Sequence, residues 1–301
     1  MRPRPVTAQT ASTLDHRPLR RFDVGGTHVL ERAGDGPAVV FLHGIGANAN
    51  SFVPVLERCP PGPRLLAWNA PGYLSSRPLD VAAPTAQDYA AVLTQMLDLL
   101  ELTQAHIVGH SLGTLIAAAF AQRTPGRVAS LTLAAAAQGY GVPAGAPLGA
   151  GPAKRLEDLA DLGPVAFAEA RAARLVHQPE NNPKVVAQVR DAMARINPGG
   201  YAQAVHMLAG GDLAASVAQV TCKPGFIIGA GDQVTPIAQT RSAMQAWHAV
   251  HGETPRCITI PDAGHAVYVQ QPQAFVSALL DLVPALKRQP AQGATEERHG
   301  G

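Results

Sequence analysis

Cysteine is scarce in this chain. The three residues present in 301, Cys59, Cys222 and Cys257, are an odd number, widely spaced and without a CxxC pair. That excludes a disulfide framework, and it makes reduced, buried thiols and a cytoplasmic location the expectation. An excess of one charge is missing too. Lysine and arginine total 24 against 22 aspartate and glutamate, so no electrostatic footprint for nucleic acid is present. No apolar run approaches the roughly 18 residues of a membrane-crossing helix, and no membrane partner is expected. Residues Met1 to Arg21 are basic and proline-rich but hold no apolar stretch, which is unlike a secretory leader. No His/Cys/Glu cluster has metal-ligand spacing. Gly229-Ala230-Gly231 lacks the third glycine and the following helix of a dinucleotide fingerprint, so neither metal nor cofactor is expected.

What the chain does hold is a 47% hydrophobic composition, enough at this length to bury one large core. Short apolar runs alternate with helical patterns. Strands are expected at Leu19 to Val24, Thr27 to Arg32, Ala38 to Leu42, Arg64 to Trp68, Ala105 to Gly109, Val128 to Leu133, Gly225 to Gly229 and Arg256 to Ile260. Tyr89, Val92, Leu93, Met96, Leu97 and Leu100 recur at helical spacing between two of them. This repetition means an α/β fold: a mostly parallel, eight-stranded, doubly wound sheet covered on both faces. From about 138 to 212 no strand pattern appears, and Val185, Val186, Val189, Met193 and Ile196 are spaced as on a helix. A structureless loop of that length would be anomalous, so a helical cap inserted after the sixth strand is expected. The division that follows is a flexible arm over 1–18, a core over 19–137 and 213–286, the cap over 138–212 and a flexible tail over 287–301.

The most informative motif is Gly109-His110-Ser111-Leu112-Gly113, between an apolar strand and an apolar helix. A strand feeding a helix through G-x-S-x-G holds the serine hydroxyl exposed on a turn too tight for side chains at the glycines. Such a serine needs a base, and the base an orienting acid. Asp232 ends the strand before it, and His265 follows the last strand, so all three stand at the same sheet rim in the order Ser, Asp, His. Asp262 competes for the acid role. It lies three residues from His265 on the same loop, too close to turn back to Nδ1, which favours Asp232. Oxyanion donors are expected from the amides of Ile45, in the glycine-rich turn His43-Gly44-Ile45-Gly46, and of Leu112. His43 is read as either a brace of its own turn or a substrate contact. In the helical interval, Tyr201, His206 and His177 can meet substrate or pack between helices. Arg171, Arg174, Arg190 and Arg195 can bind a carboxylate or form a solvated face.

From about Leu19 to Leu286 the chain resembles the α/β-hydrolase fold superfamily. The likeness rests on His43-Gly44, Trp68-Asn69-Ala70-Pro71-Gly72-Tyr73, the serine turn, Gly229-Ala230-Gly231-Asp232 with Thr235-Pro236, and Ala263-Gly264-His265. Asn197-Pro198-Gly199-Gly200-Tyr201 and the Asp232 turn are similar to the branch of 3-oxoadipate enol-lactonase-like hydrolases. The resemblance implies a cofactor-independent serine hydrolase acting on a small-molecule carboxylic ester or lactone. The alternatives are a carbon–carbon bond hydrolase or perhydrolase with the same triad, and a non-catalytic ligand-binding protein on the same scaffold. Two departures stand out. Ile45-Gly46-Ala47-Asn48 and Ala266 differ from the carbon–carbon hydrolase pattern, and Leu74 replaces a usual glycine, which implies a different loop path.

Overall fold

In the computed structural model, residues 17–287 are described. The arm expected over 1–18 and the tail over 287–301 therefore lie outside the described residues except at Arg17, Pro18 and Lys287. Strands β1 (Leu19–Val24) and β2 (Thr27–Arg32) make a hairpin around Gly25-Gly26. With β3 (Ala38–Leu42), β4 (Arg64–Trp68), β5 (Ala105–His110), β6 (Val128–Ala134), β7 (Gly225–Gly229) and β8 (Cys257–Ile260) they form one sheet, ordered β1-β2-β4-β3-β5-β6-β7-β8. The β1–β2 and β2–β4 pairs are antiparallel and the remaining five are parallel. The expected fold class is what the chain adopts, with strand ends differing by one residue at β5, β6 and β8.

Both faces of the sheet are buried, as near-continuous apolar strands require. Along β3, Val40 and Leu42 enter one packed cluster and Val39 and Phe41 the other, the alternation of a pleated strand. Helices α1 (Val53–Arg58), α2 (Ala86–Leu99) and α3 (Leu112–Arg123) follow β3, β4 and β5. Tyr89, Leu93 and Met96 of α2 pack on the first face, and Val55 and Leu56 of α1 on the second. Helix α3 is buried from Leu112 to Ala121, all but its last two residues, because its alanines let it lie close against the centre of the sheet.

Between β6 and β7 run α4 (Ala150–Arg171), broken at Gly163-Pro164, then α5 (Pro183–Met193), α6 (Pro198–Gly210) and α7 (Leu213–Ala218). Among the described residues the interval 138–212 holds helices and turns but no strand. The start of α6 explains the run Asn197-Pro198-Gly199-Gly200. The Asn197 side-chain oxygen accepts the N–H groups of Gly199 (2.9 Å) and Gly200 (3.3 Å), and Pro198 occupies a first-turn position where no donor is missed. Gly200 also abuts the loop after β4 so closely that a Cβ there would lie 2.0 Å from the Gly72 carbonyl oxygen. In that same loop Leu74 has φ 49°, in the left-handed region that glycine favours.

Helices α8 (Ile237–His251), α9 (Val267–Gln270) and α10 (Pro272–Leu282) complete the layers. All three cysteines are free, and burial pushes the Cys59 thiol up to about 12. Among the described residues no helix is long and apolar enough to cross a membrane. Because β3 lies between β4 and β5, the connections out of β3 and β5 leave in opposite directions. A crevice opens there, at the carboxyl ends of the strands.

Candidate active site

Ser111 stands at that crevice, between β5 and α3, with φ 52° and ψ −116°. Such a backbone costs on the order of 1–3 kcal/mol and persists only where its surroundings impose it. Here they do. Its N–H donates to the Ala134 carbonyl (2.9 Å), and its carbonyl accepts from the Thr114 N–H (2.9 Å) and hydroxyl (2.6 Å). A Cβ on Gly109 would come within 2.4 Å of the Gly113 carbonyl oxygen, and one on Gly113 within 2.3 Å of the Leu42 carbonyl oxygen. Both glycines are therefore steric requirements of the turn.

Asp232 follows β7 and His265 follows β8. His265 Nδ1 lies 3.0 Å from Asp232 Oδ2, with the two side chains 5% and 0% exposed. Asp262 is exposed and makes no such bond; its carbonyl accepts from Gln271 Nε2 at 3.2 Å. Asp232 Oδ1 accepts the N–H groups of Val234 (2.8 Å) and Thr235 (2.9 Å), and the Thr235 hydroxyl lies 2.8 Å from Oδ2. Burial works to raise the Asp232 pKa, but His265 and the Thr235 donors outweigh it, and the net shift is downward. The carboxylate stays charged and holds its hydrogen bond to the imidazole.

Three further contacts hold the backbone around His265. His110 Nε2 donates to the His265 carbonyl at 2.8 Å, which ties the serine loop to the histidine loop. The buried His110 ring is pushed down to about 3, by burial first and then by His265, and stays neutral in that bond. The Ala266 N–H donates to the Leu175 carbonyl at 2.8 Å. The Gln270 carboxamide accepts from the N–H groups of Gly264 (2.9 Å) and His177 (2.9 Å) and donates to the His177 carbonyl (2.8 Å). Gln270 thus fastens the middle of the helical interval, at His177, to the residue before His265.

The loop after β3 supplies the facing wall. His43 is fully buried. Its Nδ1 donates to the Gly44 carbonyl (2.9 Å) and its Nε2 accepts the Ala70 N–H (3.0 Å), so both ring nitrogens are committed to backbone. Burial lowers it to about 4. The Tyr73 hydroxyl donates to the Ile45 carbonyl at 2.7 Å and holds that turn from behind. Among the described residues neither the Ile45 amide nor the Leu112 amide has a hydrogen-bond acceptor. Leu112 is the first residue of α3, where the unpaired N–H groups and the positive end of the helix dipole coincide.

Ser111, His265, Ile45 and Leu112 line one cavity of about 510 Å³, with the helical interval as its other wall. Tyr201 reaches it, buried, with its ring edge-on to Phe167 at 5.5 Å. His43 and His206 do not, which corrects both as candidate substrate contacts. The His43 nitrogens are already used. His206 lies five residues past Tyr201 on α6, about 140° around the helix from it. Arg171, Arg174 and Arg195 line the cavity; Arg190 does not and pairs with Glu169 (3.5 Å) and Asp191 (2.9 Å). His177 does not reach the cavity either, and its ring lies over Gly231.

Residues 37–272 match the family model of the alpha/beta hydrolase fold. The chain belongs to the α/β-hydrolase fold family. It is 29% identical over 259 residues to a pimeloyl-[acyl-carrier protein] methyl ester esterase of Chromobacterium violaceum, spanning 84% of this chain and 96% of that protein. A shorter stretch of 99 residues is 34% identical to a 2-hydroxy-6-oxononadienedioate/2-hydroxy-6-oxononatrienedioate hydrolase of Pseudomonas putida, covering 32% of this chain and 35% of that one. The fold is also that of the enol-lactonase from Burkholderia xenovorans LB400, with a TM-score of 0.74 and 22% identity over 88% of this chain and all of that one. This member of the family is a hydrolase, similar in sequence to an esterase and in fold to an enol-lactonase.

Proposed function

We propose that this chain is a cofactor-independent serine hydrolase that cleaves a carboxylic ester or lactone through an acyl-enzyme. The observation that carries the reading is Ser111 on its strained turn, lining one cavity with a His265 that is hydrogen-bonded to Asp232 at 3.0 Å. His265 accepts the Ser111 hydroxyl proton as Oγ attacks the acyl carbon, and Asp232 stabilises the imidazolium that results. The negative charge gathering on the acyl oxygen is received by the Ile45 and Leu112 N–H groups, which have no other acceptor to give up. His265 then delivers its proton to the departing alkoxide oxygen, which leaves as the alcohol, or in a lactone stays as the freed hydroxyl of the acyl chain. Water repeats the cycle: His265 takes its proton, hydroxide adds to the acyl carbon, and the proton returns to Ser111 Oγ as the acid departs.

The helical interval 138–212 acts in this reading as a cap that closes the cavity over Ser111. A panel of chromogenic esters and lactones tests the reading on the purified full chain. Turnover of at least one member by the wild type, and its loss in Ser111→Ala, is the expected result. Equal turnover by both proteins would show that Ser111 is not the nucleophile.

A further inference from the structure

Arg155, Arg171, Arg174 and Arg195 all line the cavity that holds Ser111 and His265. Guanidinium groups stay protonated at any pH at which the fold survives, so this wall carries permanent positive charge. Little of it is neutralised by the protein. Asp191, the single acidic residue of the lining, pairs with Arg190 outside the cavity. Asp158 sits 3.4 Å from Arg171 but is shared with Lys154 at 2.8 Å. Among the described residues Arg155, Arg174 and Arg195 form no ion pair.

Arg155 is the most telling of the four. It is partly buried on α4, and the groups that act on it are the hydroxyls of Tyr201 and Tyr140, neutral side chains that leave its charge uncancelled. Beside it, the Arg171 guanidinium lies over the Phe167 ring at 4.9 Å, its planar face already used in stacking. Burial, and then repulsion from Arg155 and Arg174, lower the Arg171 pKa, whereas the Tyr201 and Tyr140 hydroxyls hold that of Arg155 up, so the excess positive charge falls on Arg171. Like charges gathered against apolar walls such as Leu112, Met193 and Leu208 are unfavourable unless a negative group joins them. The planar fork of a guanidinium matches the two oxygens of a carboxylate.

Building on the ester or lactone reading, we infer that Arg155 and Arg171, with the exposed Arg174 beside them, form a subsite for a carboxylate that the substrate carries away from its scissile acyl group. The substrate class this assigns is the half-ester or lactone of a dicarboxylic acid. None of these arginines acts on the reacting bond; they hold the far end of the substrate.

The test compares kcat/KM for mono-p-nitrophenyl glutarate with that for its neutral methyl ester, in the full chain. The wild type should prefer the free acid. Arg155→Gln should reduce that preference on the order of 10- to 100-fold, chiefly through KM, as expected for loss of a charge-assisted hydrogen bond. Arg155→Lys should reduce it less. Arg174→Gln, at an exposed position where folding is not at risk, should give a smaller reduction, and Arg190→Gln none. A second arm measures glutarate against dimethyl glutarate binding to Ser111→Ala by calorimetry, where no turnover is needed. Glutarate should bind more tightly, and adding Arg155→Gln should abolish the difference. If neither ester is cleaved yet glutarate binds in an Arg155-dependent way, the carboxylate subsite stands and the ester reading fails. If the neutral ester is cleaved while glutarate binds no better than its diester, the subsite is overturned and the ester reading stands.

Discussion

The two walls of the cavity are built on different physical terms. On the sheet side Ser111, Asp232 and His265 are buried, and each belongs to a loop pinned by hydrogen bonds to a neighbouring loop. On the helical side the lining is long side chains on separate helices, and one of those helices is broken at Gly163-Pro164. Of the four arginines there, Arg171 alone forms an ion pair among the described residues, and that at 3.4 Å. The sheet wall has fixed geometry and few permanent charges, whereas the helical wall has permanent charge and side chains free to adjust. Bond making at a reacting centre demands the first, since a misplacement of about 1 Å can cost roughly 100-fold in rate. Choosing among substrates asks only for differential contacts, which the second can supply.

That contrast breaks if changes on the sheet wall leave the rate intact. Ser111→Ala should lower kcat by on the order of 10⁴-fold or more, leaving what binding and the oxyanion donors provide. Asp232→Asn should cost about 10⁴-fold with the fold preserved, while Asp262→Asn stays near wild type. A damaging Asp262 variant beside a mild Asp232 variant, in the same assay, would reverse the acid assignment. Next in size is Gln270→Ala. It removes the clamp between Gly264 and His177, so the His265 backbone should loosen and kcat fall roughly 10- to 100-fold with KM nearly kept. A loss confined to thermal stability, with kcat unchanged, would make Gln270 a packing residue only.

On the helical wall the effects should be smaller and of another kind. Tyr201→Ala should re-rank substrates by about 1–3 kcal/mol while leaving the pH profile of kcat/KM in place. A uniform loss across all substrates would instead mean that Tyr201 supports the catalytic geometry. The buried histidines sharpen the comparison from the side of stability. His43 is held at about 4, below the roughly 6.5 of an exposed imidazole, so it is neutral in the fold and takes up a proton on unfolding between those values. Its contribution is therefore intact above about pH 6.5 and is lost as pH falls toward 4. Denaturation free energy measured across that window should drop more steeply in the wild type than in His43→Gln, by about 1.4 kcal/mol per pH unit at most. Equal slopes would mean that His43 titrates alike in both states.

The sheet wall was far more legible in the sequence than the helical one. Strands buried on both faces are unbroken apolar runs, and a residue placed just after such a run must stand at the rim, so Ser111, Asp232 and His265 could be read directly. The turn glycines were legible for the same reason, because a close backbone approach leaves a residue type behind. Contacts made to backbone leave none. Gln270 acts through carbonyls and amides of other loops, and nothing local marks it. The helical wall lost its signal differently. Helix α4 carries Gly151, Pro152, Gly163 and Pro164, which interrupt its period, and no spacing marks Arg155 on it. His206 had the right chemistry and helix but the wrong face, and His43 had its nitrogens taken by its own turn and the next.

The central claim is that Ser111 is the nucleophile on which an acyl group is carried. Its most direct measurement is stoichiometric labelling of the full chain with a fluorophosphonate, read by intact mass and peptide mapping. One adduct per chain is expected, on the peptide carrying Ser111, with parallel loss of esterase activity and no adduct in Ser111→Ala. Full labelling at another serine, or undiminished ester turnover by a chain labelled at Ser111, would contradict it.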